Sequence, residues 1–297
     1  MTTHFNASVA AGAGGAFPAN PAISFEFFPP KTDEGMAKLR DTRKQLEALS
    51  PHFFSVTFGA GGSTRDRTLE TVLEIQKEGF EAAPHLSCIG STKENIRTML
   101  QTYRDNGIRR MVALRGDLPS GEAEFGHFRY ANELIAFVRA ETGDHFHIET
   151  ACYPEVHPQA RSPQDDLKSF KRKIDAGASS AITQYFYNAD AYFHFVDDAR
   201  AMGINAPIVP GIMPIASASQ LMRFSDACGA EIPRWMRLKL QSYGDDRASI
   251  QAFGIDAVAA MCERLLKQGA PGLHFYTLNM AALSIAIWKR LGLVEIK

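Results

Sequence analysis

The sequence predicts a single-domain α/β protein, a (β/α)8 or TIM barrel, and three observations support this fold class. From residue 20 onward, eight short apolar segments alternate with amphipathic helical segments. The apolar segments are continuous, which is typical of parallel strands that helices cover. The chain has 297 residues, somewhat more than the roughly 250 that such a barrel requires. An open doubly wound sheet is disfavoured, because no glycine fingerprint follows the first apolar segment.

The predicted strands are separated by glycines that stand just past the ends of helices. Gly107 precedes "IRRMVALRGD" and Gly177 precedes "ASSAITQYFY". Glycine suits the left-handed backbone that commonly ends a helix. The eight predicted strands lie near 23–28, 53–58, 82–88, 110–115, 146–152, 181–186, 207–212 and 273–278.

Helix starts are marked by a serine with an acidic residue three positions later, the spacing of a capping box. Pro163 adds a residue that is favoured in the first helical turn. The pairs with this spacing are Ser63 with Asp66, Ser91 with Glu94, and Ser162 with Asp165.

The remaining segments set the predicted domain limits. The interval of about 213–270, between strands seven and eight, predicts an extra helical segment within the barrel rather than a second domain. Residues 1–20 lack the basic region and apolar core of a secretory signal. We therefore predict a disordered N-terminal tail over 1–20 and one catalytic barrel over 21–297.

Composition excludes several classes of protein. The net charge is −1, so no basic excess indicates a nucleic-acid partner or a membrane surface. No apolar run is long enough to cross a bilayer. The four cysteines form no C-x-x-C pair, which indicates free thiols, no metal site and a reducing, cytoplasmic location.

Polar residues cluster where the predicted strands end, which is where barrels of this kind carry their active sites. The residues at or just past these ends are Glu26, Thr57, His85, Arg115, Asp117, Tyr153, His157, Gln184, Gln220 and Asn279. Each has a structural alternative: His85 as a core histidine, Arg115 with Asp117 as a rim pair, and Gln184 as a partner for buried backbone. Their convergence on one rim predicts a single site.

Two enzyme classes are disfavoured by what the strand ends do not carry. No H-x-H pair ends strand one, which argues against a metal-dependent amidohydrolase. No lysine stands at a strand end, which argues against a Schiff-base aldolase.

A series of motifs resembles the methylenetetrahydrofolate reductase family. In order, these are "SFEFFPP", "SVTFGAGGSTRDRT", "APHLSC", "VALRGD", "YPEVHPQA", "KRKIDAGA", "AITQYFY", "PGIMPI" and "HFYTLN", from about residue 23 to 290. The resemblance implies a flavin-binding barrel with non-covalent FAD and NADH or NADPH as the donor. It implies reduction of 5,10-methylenetetrahydrofolate to 5-methyltetrahydrofolate by a ping-pong mechanism, in a homo-oligomer. Folate and nicotinamide dinucleotide would be its partners.

The resemblance also implies roles for individual residues. Glu26 resembles the family's general acid, and Asp117 resembles an aspartate near the flavin and the pterin. Gln184, Gln220 and Phe224 resemble substrate-binding residues. The positions that resemble FAD contacts are Thr57, His85, Arg115, Asp117, Tyr130, Ala151, Tyr153, His157, Asp166 and Lys173.

Glu26 stands among phenylalanines in "ISFEFFPP", and a general acid must hold a proton near neutral pH. An ordinary glutamate, with a pKa of about 4.3, would be ionised. Apolar surroundings raise the pKa of a carboxyl group. We therefore expect the pKa of Glu26 to lie at ~6–7. Strand alternation puts Glu26 on the face opposite Phe25 and Phe27, so this influence is expected to come partly from across the barrel or from the bound flavin.

One position departs from the family pattern. Many relatives carry arginine after "HFYTLN", whereas this chain has Met280. Methionine cannot pair with a carboxylate as arginine does, so the residue that holds the folate's glutamate tail is left open. The alternative function is a non-redox (β/α)8 lyase or aldolase acting on a phosphorylated small molecule. A colourless protein with flavin-independent turnover would favour that alternative.

Overall fold

The computed structural model describes residues 21–59, 64–117 and 126–293, and it confirms the single-domain barrel. The predicted tail at 1–20 and Ser63 lie outside the described residues. The strands are β1 (Ala22–Phe27), β2 (Phe53–Val56), β3 (Ala82–Ser87), β4 (Arg110–Leu114), β5 (His147–Cys152), β6 (Ser180–Thr183), β7 (Ile208–Val209), β8 (Gly211–Ile212) and β9 (Gly272–Tyr276). The helices are α1 (Asp33–Glu47), α2 (Arg65–Lys77), α3 (Lys93–Asp105), α4 (Ala131–Thr142), α5 (Pro163–Asp175), α6 (Ala189–Ala201), α7 (Ala218–Cys228), α8 (Arg234–Ser242), α9 (Arg247–Lys267) and α10 (Ala281–Arg290).

All the strand pairs are parallel, and the order is β7-β6-β5-β4-β3-β2-β1-β9-β8. The predicted seventh strand is two short strands, β7 and β8, on either side of Pro210. β7 pairs with β6 and β8 pairs with β9. Because β7 and β8 are consecutive in the chain, these two pairings close the barrel.

The break at Pro210 has a local physical cause. Proline has no N–H to donate to a strand ladder, but its carbonyl still accepts from His274 N at 3.0 Å. Gly211 N then donates to the Thr183 hydroxyl at 2.8 Å. A Cβ atom at Gly211 would lie 2.2 Å from the Thr183 carbonyl oxygen, so this close approach requires glycine.

The barrel has two separate apolar cores. The larger core lies between the sheet and the helices and contains the outward side chains of β1, Phe25 and Phe27. The smaller core fills the barrel interior with Phe53, Ala83 and Val112, together with Ile182. Successive strand residues point to opposite faces, and therefore strands such as β2, β3 and β4 supply side chains to both cores.

A buried ion pair closes the lower end of the barrel, which is the end at which the parallel strands begin. Arg110 Nη1 lies 2.6 Å from Glu149 Oε1, and both side chains are almost fully buried. The guanidinium lies 4.7 Å from the centre of the Phe53 ring. His147 Nε2 lies 2.6 Å from the Ser180 hydroxyl and 3.2 Å from Glu149 Oε1. This network satisfies the charge of Glu149 away from solvent.

The helix starts agree with the sequence in part. The Ser162 hydroxyl accepts from Asp165 N at 3.2 Å and Pro163 begins α5, as predicted. The start of α3 was predicted one residue too early, because Thr92 rather than Ser91 accepts from Asn95 N. The predicted extra helical segment is confirmed, since α7, α8 and α9 all lie between strands β8 and β9. No helix among the described residues is both long and apolar enough to cross a membrane.

Candidate active site

Two adjoining cavities, each of about 300 Å³, open at the carboxyl ends of the strands. The outer cavity lies over β4, β5 and α5, and the inner cavity lies over the centre of the barrel. Leu114, Thr150, Ala151 and Tyr153 line both. Because they share this wall, the two cavities form one elongated cleft that can hold an extended ligand beside a second, smaller one.

Glu26 lies on the wall of the inner cavity, where two imidazoles face its carboxylate. Its side chain is 18% exposed, and Oε2 lies 3.2 Å from His85 Nε2 and 3.6 Å from His274 Nε2. His274 is fully buried and its Nδ1 lies 2.8 Å from the Ser24 hydroxyl. Ser24, His274, Glu26 and His85 therefore form one continuous polar chain, in which Glu26 lines the inner cavity and His85 lies buried beside it.

Strand register explains why these residues meet. β9 pairs with β1 so that Ser24 is opposite His274 and Glu26 is opposite Tyr276. All four side chains have the same parity along their strands and face the interior. His274 packs between Phe53, with ring centres 5.9 Å apart, and Tyr276, at 5.3 Å. The imidazole is thus fixed by packing as well as by Ser24.

The prediction that the pKa of Glu26 is raised is wrong, whereas the prediction that Phe25 and Phe27 lie on the opposite face of β1 is confirmed. Phe25 and Phe27 point outward into the larger core, whereas Glu26 points inward at the histidines. Burial by itself raises the pKa of the carboxyl, but the imidazoles of His85 and His274 outweigh burial and lower the pKa from 4.5 to about 2.

The outer cavity is lined by cations and by the loop between β5 and α5. Arg115, Arg172 and Lys173 all contribute to its wall. Lys173 Nζ donates to the Ala151 carbonyl, and burial lowers the pKa of this amine. Such a wall favours an anionic group.

Asp166 in the first turn of α5 shapes the loop that leads into this cavity. Its Oδ2 accepts from His157 N at 2.7 Å. The His157 ring packs edge-on against Tyr153, with ring centres 4.5 Å apart. Asp166, His157 and Tyr153 all line the outer cavity, so the predicted cofactor positions on this loop are brought together.

Asp117 and Tyr130 lie on the rim of the outer cavity. The Asp117 side chain is 92% exposed and lies 4.0 Å from the Arg115 guanidinium. Tyr130 is 59% exposed and precedes α4. Residues 118–125, which connect these two positions, lie outside the described residues.

The other predicted site residues divide into two groups. Gln184 lines the inner cavity. Thr57 and His85, which were predicted to contact FAD, line neither cavity as described; the Thr57 N–H donates to the Phe27 carbonyl at 2.8 Å. Gln220 and Phe224 lie on α7 but line neither of the two cavities as the described residues define them. Phe224 packs against the larger core and beneath the Arg223 guanidinium, 5.5 Å from its ring centre.

Sequence reasoning missed several residues of the site. His274 and Tyr276 lie two residues apart in the predicted eighth strand, which is β9 in the structure, and both side chains point into the barrel. The alternation in "GLHFYTLN" could have indicated this. The hydroxyl of Tyr276 donates to the Thr183 carbonyl at 2.7 Å across the interior. Other missed lining residues include Asn132, Gln159, Ser169, Arg172 and Tyr185.

Comparison with known proteins agrees with the resemblance found in the sequence. The family model for methylenetetrahydrofolate reductase matches residues 16–292. The chain is 43% identical to a 5,10-methylenetetrahydrofolate reductase from Salmonella typhimurium over 91% of this chain and 90% of that protein. It is 41% identical to methylenetetrahydrofolate reductase (NADH) 1 of Arabidopsis thaliana, covering 92% of this chain and 49% of that one.

A solved structure from Clostridium thermocellum supports the fold. That protein, described as binding two copies of 5-methyl-5,6,7,8-tetrahydrofolic acid, superposes with a TM-score of 0.66 at 19% identity. The superposition covers 92% of this chain and 95% of that one. At this identity the likeness shows the barrel architecture alone.

Proposed function

Since this chain belongs to the methylenetetrahydrofolate reductase family, we propose that it reduces 5,10-methylenetetrahydrofolate to 5-methyltetrahydrofolate. In this proposal FAD is the bound cofactor and NADH or NADPH is the reductant. The observation that carries the proposal is the position of Glu26. It lies at the base of a cleft whose outer part is cationic and whose inner part is largely apolar.

The residues of the outer cavity fit FAD. A dinucleotide needs positive charge for its diphosphate, and Arg115, Arg172 and Lys173 supply three cations on one wall. It also needs an apolar surface for its flat rings, and the wall shared with the inner cavity contributes Leu114 and Ala151. When bound, FAD would accept a hydride from the reduced nicotinamide and pass it to the folate.

The inner cavity fits a second planar ligand, bounded by Gln184, Tyr276 and Leu278. The Gln184 amide can orient a pterin or a nicotinamide by hydrogen bonds. We propose that reductant and folate occupy this one space in turn, as a ping-pong mechanism requires. Asp117 lines the outer cavity and not the inner one as described, so its negative charge would stabilise the cation that forms from the folate from the flavin side of the cleft.

Glu26 and His85 together would provide the proton that the reaction needs. Opening of the methylene bridge breaks the bond between the bridging carbon and N10, places a proton on N10 and leaves a cationic iminium at N5. A hydride on the bridging carbon then completes the methyl group. Of the two, Glu26 lines the inner cavity. Its carboxyl group, 3.2 Å from His85 Nε2, would deliver the proton to N10, although the two imidazoles lower its pKa.

Anaerobic mixing of the purified holoenzyme tests this function. NADH or NADPH should bleach the flavin absorbance, and addition of methylenetetrahydrofolate should restore it with formation of methyltetrahydrofolate. Colourless protein that turns over a phosphorylated substrate without flavin would instead favour the lyase or aldolase alternative. Bleaching without recovery would contradict folate as the second substrate.

Replacing Lys173 by methionine should weaken FAD binding. The buried amine faces the outer cavity, and a hydrogen bond to a charged group contributes about 1.5–3 kcal/mol. We therefore expect the FAD dissociation constant to rise roughly ten- to a hundredfold, measured by flavin fluorescence after reconstitution.

The matched control is Lys171→Met on the same helix. Lys171 pairs with Asp175 and lies outside the walls of both cavities as described. It should leave FAD affinity unchanged. Equal affinities for the Lys173 and Lys171 variants would contradict the assignment of Lys173.

A further inference from the structure

The turn that follows β9 hydrogen-bonds the backbone of Glu26 and of Phe28, at the end of β1 and just past it. The Glu26 carbonyl accepts from the Thr277 hydroxyl at 2.6 Å and from Thr277 N at 3.4 Å. The Asn279 side chain then takes both backbone groups of Phe28: its Oδ1 accepts from Phe28 N at 3.0 Å and its Nδ2 donates to Phe28 O at 2.8 Å. Past Tyr276, the last residue of β9, the side chains of Thr277 and Asn279 therefore take over the hydrogen bonds that join β9 to β1.

The turn is itself internally fixed. Asn279 N donates to the Thr277 hydroxyl at 3.1 Å, and Met280 N donates to the Thr277 carbonyl at 3.0 Å. The Asn279 carbonyl accepts from the Thr42 hydroxyl of α1 at 3.3 Å. The Thr277 hydroxyl therefore donates to Glu26 and accepts from Asn279. Because of this shared hydroxyl, the hydrogen bonds to Glu26 and those to Phe28 depend on each other.

Two consecutive residues in this turn have left-handed backbone, Leu278 with φ +51° and Asn279 with φ +56°. Asparagine tolerates this conformation, whereas leucine rarely adopts it. In this left-handed conformation Leu278 lies in the wall of the inner cavity, and the Asn279 amide hydrogen-bonds the backbone of Phe28. Strain of this kind persists where surrounding contacts enforce it, and it occurs often at active sites.

We propose that Asn279 is a positioning residue for Glu26: its amide fixes the exit of β1, so that the Glu26 carboxylate is held between the two imidazoles and open to the inner cavity. The inference rests on the proposed function for its catalytic consequence, because Glu26 is the proton donor there. The Asn279 amide hydrogen-bonds the backbone of Phe28, just past β1, and acts on Glu26 through that backbone. The ionisable groups that face Glu26 are His85 of β3 and His274 and Tyr276 of β9.

Asn279→Gly isolates the role of the amide, because glycine keeps the left-handed backbone without cost and removes only the side chain. Without the hydrogen bonds from Asn279 to Phe28, the end of β1 should become mobile. The distances from the Glu26 carboxylate to the imidazoles of His85 and His274 should then no longer be fixed. In ligand-free protein, carbon-13 NMR of the Glu26 carboxyl should then show a pKa raised by about one unit, a tenfold change in proton affinity. In the holoenzyme, flavin reoxidation by methylenetetrahydrofolate should slow roughly ten- to a hundredfold, while reduction by the nicotinamide should be unchanged.

Asn188→Gly is the matched control. Asn188 caps α6 through Asp190 N at 3.0 Å and should leave the Glu26 titration and both half-reactions as in the wild type. If Asn279→Gly does not fold, Thr277→Val removes the shared hydroxyl at constant volume and should raise the Glu26 pKa in the same direction, with Thr277→Ser restoring it.

Two results would overturn the inference: a wild-type Glu26 titration in a folded Asn279→Gly or Thr277→Val protein, or a folate half-reaction unaffected by either change. Failure of the proposed function is distinguishable from both. It would appear as a wild-type holoenzyme that does not reoxidise with folate, while the carboxyl titration of the variants would still decide whether Asn279 positions Glu26.

Discussion

Glu26→Gln should slow reoxidation of the reduced enzyme by methylenetetrahydrofolate by roughly 10²–10⁴-fold, the usual contribution of a general acid. Glutamine fills the same space between His85 and His274 but carries no proton that it can release. The measurement is the recovery of flavin absorbance after anaerobic addition of the folate to enzyme already reduced by NADH or NADPH.

The reductive half-reaction is the internal control for this variant. Hydride transfer from the nicotinamide needs no proton on a folate nitrogen, and so bleaching of the flavin should proceed at nearly the wild-type rate. If the glutamine variant reduced folate as fast as the wild type, with bleaching also unchanged, Glu26 would not be the proton donor. If both half-reactions were lost together, the residue would serve binding rather than proton transfer.

Glu149→Gln should cause the largest loss of stability, about 3 kcal/mol, near the lower end of the range for breaking a buried ion pair. The substitution leaves the Arg110 guanidinium buried with a neutral partner on one side and Glu81, at 3.2 Å, on the other. Urea unfolding of the two proteins at neutral pH measures the difference.

The matched control is Glu141→Gln, which removes a surface partner of Arg97 at 2.7 Å. Exposed pairs contribute at most about 1 kcal/mol. Equal losses in the two variants would show that the network at the lower end of the barrel is not a special source of stability.

The same carboxylate makes stability depend on acid pH. Burial raises the pKa of Glu149, but hydrogen bonding from His147 and the charge of Arg110 outweigh it and lower the pKa from 4.5 to about 2. The stabilisation is therefore complete above pH 4.5 and is lost as the pH falls toward 2. The wild type should lose more stability than Glu149→Gln between these pH values, as followed by unfolding at a series of pH values.

The sequence predicted the barrel and the position of Glu26 because both depend on local patterns. Continuous apolar strands, glycines past helix ends and polar strand ends can each be recognised within about ten residues. The break at Pro210 was missed, although proline in a strand favours such a break. Its consequence, two strands that pair with different neighbours, depends on the closed barrel.

The surroundings of Glu26 could not be predicted in the same way. Alternation along the strand predicted that Phe25 and Phe27 point away from Glu26, but not that His274, 250 residues from Ser24, lies beside it. The pairing of β1 with β9 brings these groups together. The lowered pKa follows from this long-range pairing, which is why a prediction from apolar surroundings gave the opposite sign.

The pairing of β1 with β9 also governs how the protein can be made. A ribosome adds about 5–20 residues per second, so tens of seconds separate the appearance of β1 from that of β9. Throughout that interval one edge of β1, with its apolar side chains, has no strand to pair with, and such an edge promotes aggregation. The nascent chain therefore has to be protected until its last strand emerges, and the pocket around Glu26 is among the last parts of the molecule to form.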